Sequence, residues 1–131
     1  MRGRDEIVHW AEILEKPDED VLSVLEGLPD DAKGTAIHSW IESEYRDLEG
    51  VEFENPVMTD GGEVGFYDAY DGNFVYEFKT KNCCSMRDDL LPFDEDVEQV
   101  EKYMAATDTG YGVLVYICRD DFDVEEYVVS R

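Results

Sequence analysis

The 131-residue chain is poor in basic side chains, with 11 lysine and arginine residues against 34 aspartate and glutamate residues and a formal net charge of −23. Such a surface repels itself in dilute buffer, whereas in molar salt the Debye length falls to about 3 Å and screens the repulsion. The charge therefore favours a protein that works in the salt-loaded cytoplasm of an extreme halophile and is encoded by the halophile or by a virus that infects it. An ordinary acidic protein is the alternative.

Cysteines and long apolar runs are also scarce. The three cysteines, Cys83, Cys84 and Cys118, include no CxxC pair, so neither a disulfide framework nor a zinc ribbon is indicated. We expect the adjacent Cys83 and Cys84 to be free thiols in a loop. No apolar run approaches the roughly 20 residues of a membrane span, and the N-terminal residues lack the apolar centre of a signal peptide. We therefore expect a cytoplasmic protein with no membrane partner.

Apolar periodicity predicts alternating helices and strands within one domain. Helical patterns cover about 5–15, 18–28, 31–48 and 94–106, and strand patterns cover 51–58, 65–70, 73–79, 111–118 and 123–130. Pro56 suggests an edge or a bulge near the end of the first strand, and Asp94 is expected to cap the last helix. The order of elements predicts an α/β sandwich around a mixed sheet.

The stretch 65–79 predicts a β-hairpin, because Asp71-Gly72 strongly signals a two-residue turn. With that loop, Asp68 and Glu77 are diagonal neighbours about 7–8 Å apart. Side chains alternate along a strand, so Asp68, Glu77 and Lys79 emerge on one face. The other face is apolar and is expected to consist of Tyr67, Ala69, Phe74, Tyr76 and Phe78.

Two acids and a lysine on one face have a chemical and a structural interpretation. Carboxylates suit a hard cation such as Mg²⁺ or Mn²⁺, which favours oxygen ligands and phosphate partners. A nearby lysine could orient or deprotonate water, or stabilise developing negative charge. Together Asp68, Glu77 and Lys79 indicate a site for phosphodiester hydrolysis. By spacing alone, such residues on a strand face are more often a solvent-exposed salt-bridge patch.

Four short motifs follow one another along residues 34–103. They are GxxxH at Gly34–His38, GxxD at Gly65–Asp68, ExK at Glu77–Lys79 and QxxxY at Gln99–Tyr103. In this order they resemble the PD-(D/E)XK nuclease superfamily, and within it the RecB-like branch that includes the CRISPR-associated iron–sulphur exonucleases. The resemblance implies a restriction-endonuclease-like αβββαβ core over 30–131, with a mixed central sheet flanked by helices, and a helical extension of the same domain over 1–29.

The resemblance also implies roles for the motif residues. Asp68 and Glu77 would bind Mg²⁺ or Mn²⁺, assisted by the backbone carbonyl of Phe78. His38 would be a further metal ligand, which in this branch often accompanies the use of manganese. Lys79 would position and activate the attacking water. For His38, a histidine at the edge of the core is the structural alternative.

The helix with the QxxxY motif would line the site. Gln99 and Tyr103 would contact the DNA strand and support the catalytic residues, although an ordinary amphipathic helix face also explains them. Glu42 and Glu54 are weaker candidates for supporting the metal ligands. The iron–sulphur members place one cysteine before the histidine helix and three near the C-terminus. The cysteines here do not match that arrangement, so we expect no iron–sulphur cluster.

The implied function is a metal-dependent DNA nuclease, and the resemblance favours an exonuclease acting on single strands or DNA ends. Basic residues are few, so the metal, hydrogen bonds and base stacking would have to hold the strand. A helicase or recombination partner and a homo-oligomer are left open. Two rival interpretations are an acidic DNA mimic and an interaction subunit that has a nuclease fold but does not cut DNA.

Overall fold

The computed structural model describes residues 9–54, 56–58, 61–82 and 91–130, and these contain four helices and seven strands. In chain order they are α1 (Trp10–Ile13), α2 (Glu19–Glu26), α3 (Asp30–Tyr45), β1 (Glu52–Phe53), β2 (Pro56–Met58), β3 (Val64–Phe66), β4 (Ala69–Tyr70), β5 (Phe74–Lys81), α4 (Asp94–Thr107), β6 (Tyr111–Cys118) and β7 (Val124–Ser130). No helix within these ranges is both long enough and apolar enough to cross a membrane.

Five of the strands form a mixed sheet in the order β1-β4-β5-β6-β7. The central strands β5 and β6 are parallel and their other neighbours are antiparallel. A parallel pair needs a crossover connection, and α4 lies in that connection. Strands β2 and β3 pair with each other in a separate ribbon. The predicted α/β class, a mixed central sheet flanked by helices, is confirmed.

Helices cover both faces of the sheet, which positions β6 as a doubly buried strand. Its alternate residues belong to two apolar clusters. Val113, Val115 and Ile117 pack with the residues of α1–α3, and Leu114, Tyr116 and Cys118 pack with those of α4. The prediction of a central, doubly covered strand over 111–118 is confirmed.

Trp10 attaches the short helix α1 to the sheet. Its ring is fully buried and meets the ring of Phe78 edge-on at 4.9 Å and that of Tyr45 at 5.7 Å. The helix has only four residues, fewer than the predicted 5–15, and residues 1–8 lie outside the described part of the chain. The division between an extension over 1–29 and a core over 30–131 stays a prediction.

The predicted strand over 51–58 is wrong as a single element. Glu54 has a φ of +49°, a left-handed conformation that interrupts the extended chain. Strand β1 therefore ends at Phe53 and pairs with β4, while β2 begins at Pro56 and pairs with β3. Pro56 lies in the ribbon, in keeping with the expected edge position.

The hairpin also differs from its prediction in register. Tyr70 pairs with Val75 rather than with Asn73, and the backbone N–H of Asp71 donates to the carbonyl of Phe74 at 3.2 Å, so the turn is centred on Gly72 and Asn73, one residue later than predicted. The Asp71 carboxylate accounts for this, because its Oδ1 accepts hydrogen bonds from the backbone of Asn73 at 2.9 Å and of Phe74 at 2.7 Å. An aspartate whose side chain bonds the backbone two and three residues on favours a turn that begins at the aspartate itself.

The first predicted strand of the hairpin is divided at Tyr67 and Asp68. Residues before this point belong to β3, and residues after it belong to β4. Tyr67 consequently packs in the cluster with α4, whereas Ala69 packs in the cluster with α1–α3. The expectation that Tyr67 shares a face with Ala69 is wrong.

Acidic residues lie at the N-termini of both α2 and α4. The Asp18 carboxylate accepts a 3.0 Å hydrogen bond from the backbone of Val21 and caps the N-terminus of α2. Asp94 does not cap α4, because Phe93 is the cap residue and Asp94 is the first helical residue. An acid in the first turn still interacts favourably with the positive end of the helix dipole.

Cys118 is buried and disulfide-bonded. The sequence indicated no disulfide framework, so this bond was not predicted. Cys83 and Cys84, which were expected to be free thiols, lie outside the described residues.

Candidate active site

The candidate site lies at the bend between β3 and β4, beside the strand β5. Asp68 occupies the bend between β3 and β4, and its Oδ2 accepts a 2.8 Å hydrogen bond from the backbone N–H of Phe78. The backbone N–H of Asp68 donates in turn to Oε1 of Glu77 at 3.3 Å. These two bonds hold Asp68 against β5, so the acids predicted as diagonal neighbours are in direct contact.

Glu77 is a buried acid, with only 3% of its surface exposed. Burial raises the pKa of its carboxyl group well above the usual range, and the neighbouring Asp68 charge raises it further. The positive charge of Lys79 acts in the opposite direction. The two acids are within hydrogen-bond reach of each other and largely removed from water. Their electrostatic repulsion therefore destabilises the folded protein.

His38 reaches the same acids from the helix α3. Its Nδ1 lies 3.6 Å from Oδ1 of Asp68, and its ring meets the Phe78 ring edge-on at 6.3 Å. Burial lowers the pKa of His38, but the hydrogen bond and charge of Asp68 outweigh that effect, so the net pKa is raised. The helix with the GxxxH motif thus brings its histidine to the hairpin.

The helix α4 approaches from the opposite side of the sheet. Lys79 donates a hydrogen bond from Nζ to Oε1 of Gln99. Tyr103 packs so closely on the backbone of Gly65 that an added Cβ there would lie 2.7 Å from its ring. Burial, followed by the charge of Glu77, raises the pKa of the Tyr103 hydroxyl. Both residues of the QxxxY motif therefore lie beside the acids and the lysine.

The two weaker candidates lie on the α3 side of the site. Glu42 and Glu54 share a side-chain hydrogen bond, which is the largest of the causes that raise the pKa of Glu54. The charges of Asp68 and His38 also act on Glu54, so it belongs to the surroundings of the acid pair.

The donor set can be compared with what a divalent cation requires. Among the described residues, no three His, Cys, Asp or Glu side chains are grouped in a way that would hold a metal ion as they lie. The oxygens of Asp68 and Glu77 nevertheless suit Mg²⁺ or Mn²⁺, and a positive charge would offset the repulsion between them. His38 would add a nitrogen ligand. Their role as ligands, like that of the Phe78 carbonyl, stays a prediction.

Sequence reasoning missed two residues that contact this group. Asp96 on α4 places Oδ1 3.9 Å from Nζ of Lys79, and its Oδ2 accepts a 2.7 Å hydrogen bond from Tyr116. The signals were a polar tyrosine within an otherwise apolar strand, and an acid three residues before Gln99 on the same helix face.

A groove of about 450 Å³ opens beside Tyr103. Most of its charged lining is acidic, with Lys102 as the exception. Its lining residues are Glu63, Val64, Gly65, Glu95, Asp96, Glu98, Gln99, Lys102 and Tyr103. The volume falls within the usual range for small-molecule pockets, about 300–1,000 Å³.

Comparisons with known proteins identify the fold. No protein-family model matches the chain, and no curated protein matches it. The crystal structure of SSO0001 matches it with a TM-score of 0.59 and 25% identity, over 86% of this chain and 57% of that one. An alkaline exonuclease, LHK-Exo from Laribacter hongkongensis, matches with a TM-score of 0.62 and 18% identity, over 85% of this chain and 65% of that one. Its complex with dAMP matches with a TM-score of 0.60.

The chain therefore spans 57% of SSO0001 and 65% of the alkaline exonuclease. A likeness at this level of identity identifies the fold and leaves the chemistry to the site itself. The fold is an α/β fold similar to that of a nuclease.

Proposed function

We propose that the chain is a metal-dependent DNA nuclease of the RecB-like branch of the PD-(D/E)XK superfamily. The observation that carries this proposal is the convergence of Asp68, Glu77 and Lys79 at one point of the sheet. His38 reaches that point from one helix layer, and Gln99 reaches it from the other. A solvent-exposed salt-bridge patch does not explain the burial of Glu77.

The residues of the chain have distinct tasks in the proposed reaction. Asp68, Glu77 and His38 would hold Mg²⁺ or Mn²⁺, which would neutralise charge on the phosphate. Lys79 directs the attacking water towards phosphorus through a hydrogen bond from its ammonium group. The oxygen of that water bonds to phosphorus while the bond to the leaving oxygen breaks. The electron pair of the broken bond stays on the leaving oxygen, and the proton lost by the water passes to that oxygen through solvent. Gln99 keeps Lys79 in place by accepting one of its hydrogen bonds.

Exonuclease action on single strands or DNA ends is the proposed mode. The fold is similar to that of an alkaline exonuclease whose structure has been solved with dAMP, although over only part of that protein. The groove beside Tyr103 has room for a nucleotide, and an aromatic ring at its wall can stack on a base of any sequence. Acids around the groove oppose DNA, so weak binding without the metal or a helicase or recombination partner belongs to the proposal.

Cleavage of labelled DNA in molar KCl with Mn²⁺ or Mg²⁺ tests the proposed function. We expect Glu77→Gln and Lys79→Ala each to lower kcat by at least about 100-fold, since each removes a group that acts directly on the reaction. We also expect Mn²⁺ to raise the melting temperature of the wild type but not of Glu77→Gln, because ligand binding to the folded state stabilises it.

Two exposed residues supply matched controls, Glu101→Gln and Lys16→Ala, which remove the same charges away from the site. Both should cleave like the wild type. Cleavage that survives in Glu77→Gln or Lys79→Ala would show that the assigned site is wrong.

An acidic DNA mimic is a second candidate, favoured by the net charge of −23 and by the acids around the groove. A mimic would bind a basic nucleic-acid-binding protein tightly and would gain no stability from Mn²⁺. The same melting experiment therefore separates the two functions. We also propose that the protein works in the salt-rich cytoplasm of a halophile and is encoded by the host or by a virus. A homo-oligomeric state is a further proposal.

A further inference from the structure

Asp96 is a buried acid for which the proposed reaction has no use. It is 5% exposed and lies in the first turn of α4, where the helix dipole favours a negative charge. A buried carboxylate is costly unless its oxygens are bonded. Here Oδ2 accepts the 2.7 Å hydrogen bond of Tyr116, and Oδ1 lies 3.9 Å from the ammonium nitrogen of Lys79.

Tyr116 determines how the Asp96 carboxylate is oriented. A tyrosine hydroxyl has a single proton, and the oxygen of Tyr116 already accepts a 3.2 Å hydrogen bond from the backbone of Phe93. The proton is therefore donated to Asp96. Burial, together with the bond to Asp96, raises the pKa of Tyr116, so the hydroxyl stays protonated. With Oδ2 held by a fully buried ring, Oδ1 is the oxygen directed at Lys79.

The backbone brings these groups into one row. Lys79 on β5 pairs with Tyr116 on β6, so their side chains emerge next to each other on the face covered by α4. Asp96 and Gln99 are three residues apart and share one face of that helix. The Lys79 ammonium donates one hydrogen bond to Gln99 and lies within ion-pair distance of Asp96, which leaves N–H donors that can bind a water.

We propose that Asp96, oriented by Tyr116, is a positioning residue that holds the Lys79 ammonium in its reactive geometry. The catalytic part of this inference rests on the proposed nuclease function, whereas the ordering of Lys79 is a property of the protein alone. Replacing a buried charged pair by apolar side chains is often neutral or stabilising. The network is therefore better explained by the geometry that it imposes on Lys79 than by stability.

Two variants and one control test this role. Asp96→Asn removes the charge, Tyr116→Phe removes the hydrogen bond that orients it, and Asp94→Asn removes an exposed acid from the same helical turn. In protein labelled with ¹³C-lysine, NMR relaxation of the ε-methylene group reports the order of Lys79, and the spectrum of Lys79→Ala assigns its signal. We expect this order to fall towards that of the exposed Lys16 in the first two variants and to be unchanged in the control.

Cleavage kinetics with Mn²⁺ form the second readout. Residues that orient a catalytic group contribute about 10- to 100-fold. We expect kcat to fall by about that factor in Asp96→Asn and by about three- to tenfold in Tyr116→Phe. The Mn²⁺ affinity should change by less than about twofold, because neither variant removes a proposed ligand. The KM for DNA should not rise, since Asp96 lines the groove and Asp96→Asn removes an acid that opposes DNA.

Each outcome decides one part of the inference. If Lys79 is as ordered in both variants as in the wild type, the positioning role is wrong whether or not the protein cleaves DNA. If Lys79 loses order while kcat is unchanged, its catalytic consequence is wrong. Failure of the wild type to cleave DNA would overturn the proposed function, and the NMR comparison would still decide the positioning role. Tyr116→Phe preserves the buried ring, so this variant can test the positioning role on its own if Asp96→Asn does not fold.

Discussion

At the scale of single residues, Asp68 and Glu77 form a pair that is electrostatically unfavourable to the folded chain. Both are acids, they are in contact, and Glu77 is almost fully buried, so the pKa of Glu77 is raised first by burial and then by Asp68. A bound cation would remove the repulsion. The arrangement that lowers the stability of the protein alone is therefore the one that would give it affinity for a divalent metal.

The contact between Gly65 and Tyr103 yields a prediction at the same scale. A Cβ at residue 65 would lie 2.7 Å from Cε1 of Tyr103 and 3.1 Å from its hydroxyl oxygen, so the ring must move. We expect Gly65→Ala to lower the free energy of unfolding by about 1–3 kcal/mol, the usual effect of overpacking. We also expect it to weaken binding of single-stranded DNA, because Tyr103 is displaced. Urea unfolding and fluorescence anisotropy measure the two effects.

Gly61→Ala is the matched control, since an added Cβ at that position meets nothing within 4 Å. Its stability and DNA binding should equal those of the wild type. Equal behaviour of the two alanine variants would contradict the proposed contact between Tyr103 and Gly65.

At the scale of elements, both flanking helices approach the sheet through a glycine contact. Gly112 on β6 lies under α4, where an added Cβ would be 2.7 Å from Cγ2 of Val100 and 2.8 Å from Sδ of Met104. Gly34 on α3 lies against Thr80 on β5, and an added Cβ would be 2.7 Å from the Thr80 hydroxyl oxygen. These close approaches bring the helix with His38 and the helix with Gln99 within reach of the same strand.

The contact of α3 with β5 can be tested by a rescue experiment. Gly34→Ala should lower the free energy of unfolding by about 1–3 kcal/mol, because either α3 or the Thr80 side chain must shift. Thr80→Ala removes the obstructing hydroxyl. Alanine is favoured over glycine inside a helix by about 1 kcal/mol, so the double variant should be at least as stable as Thr80→Ala alone. Urea unfolding of the four proteins measures this, and a double variant no more stable than Gly34→Ala would contradict it.

The elements also show which parts of the fold the sequence predicts and which it does not. The helices α2 and α3 and the strands β6 and β7 follow from local periodicity, since each packs one or two regular faces. The hairpin register does not, because the Asp71 carboxylate bonds the backbone of Asn73 and Phe74 and so favours a turn one residue later than predicted. The separate ribbon of β2 and β3 depends on the left-handed Glu54, which no periodicity signals.

At the scale of the whole molecule, the net charge of −23 is the dominant property. Acids are distributed over the described helices and strands, and the ion pairs formed by Lys79 and Arg119 neutralise only a small part of this charge. Mutual repulsion of exposed charges opposes the compact state and weakens when salt shortens the Debye length.

Stability should therefore depend steeply on salt. We expect the melting temperature to rise by more than about 10 °C as KCl increases from about 0.1 M to about 2 M, where the Debye length is shorter than about 3 Å. Replacing the exposed acids Glu19, Glu44 and Glu101 by glutamine should lower the salt concentration that is needed. Differential scanning calorimetry measures both effects, and a melting temperature indifferent to KCl would contradict the proposed adaptation to salt.

The sequence by itself determined the class of the fold, the central strand β6 and the motif residues that form the candidate site, because those depend on local periodicity and on residue type. Only the tertiary structure decided that Asp68 lies in a bend between two sheets, that Cys118 is disulfide-bonded and that Asp96 and Tyr116 contact Lys79. These features arise from pairing between strands and from helices packed across them, so residues far apart in the chain meet. The side-chain pattern along one element does not indicate which residues of other elements it will contact.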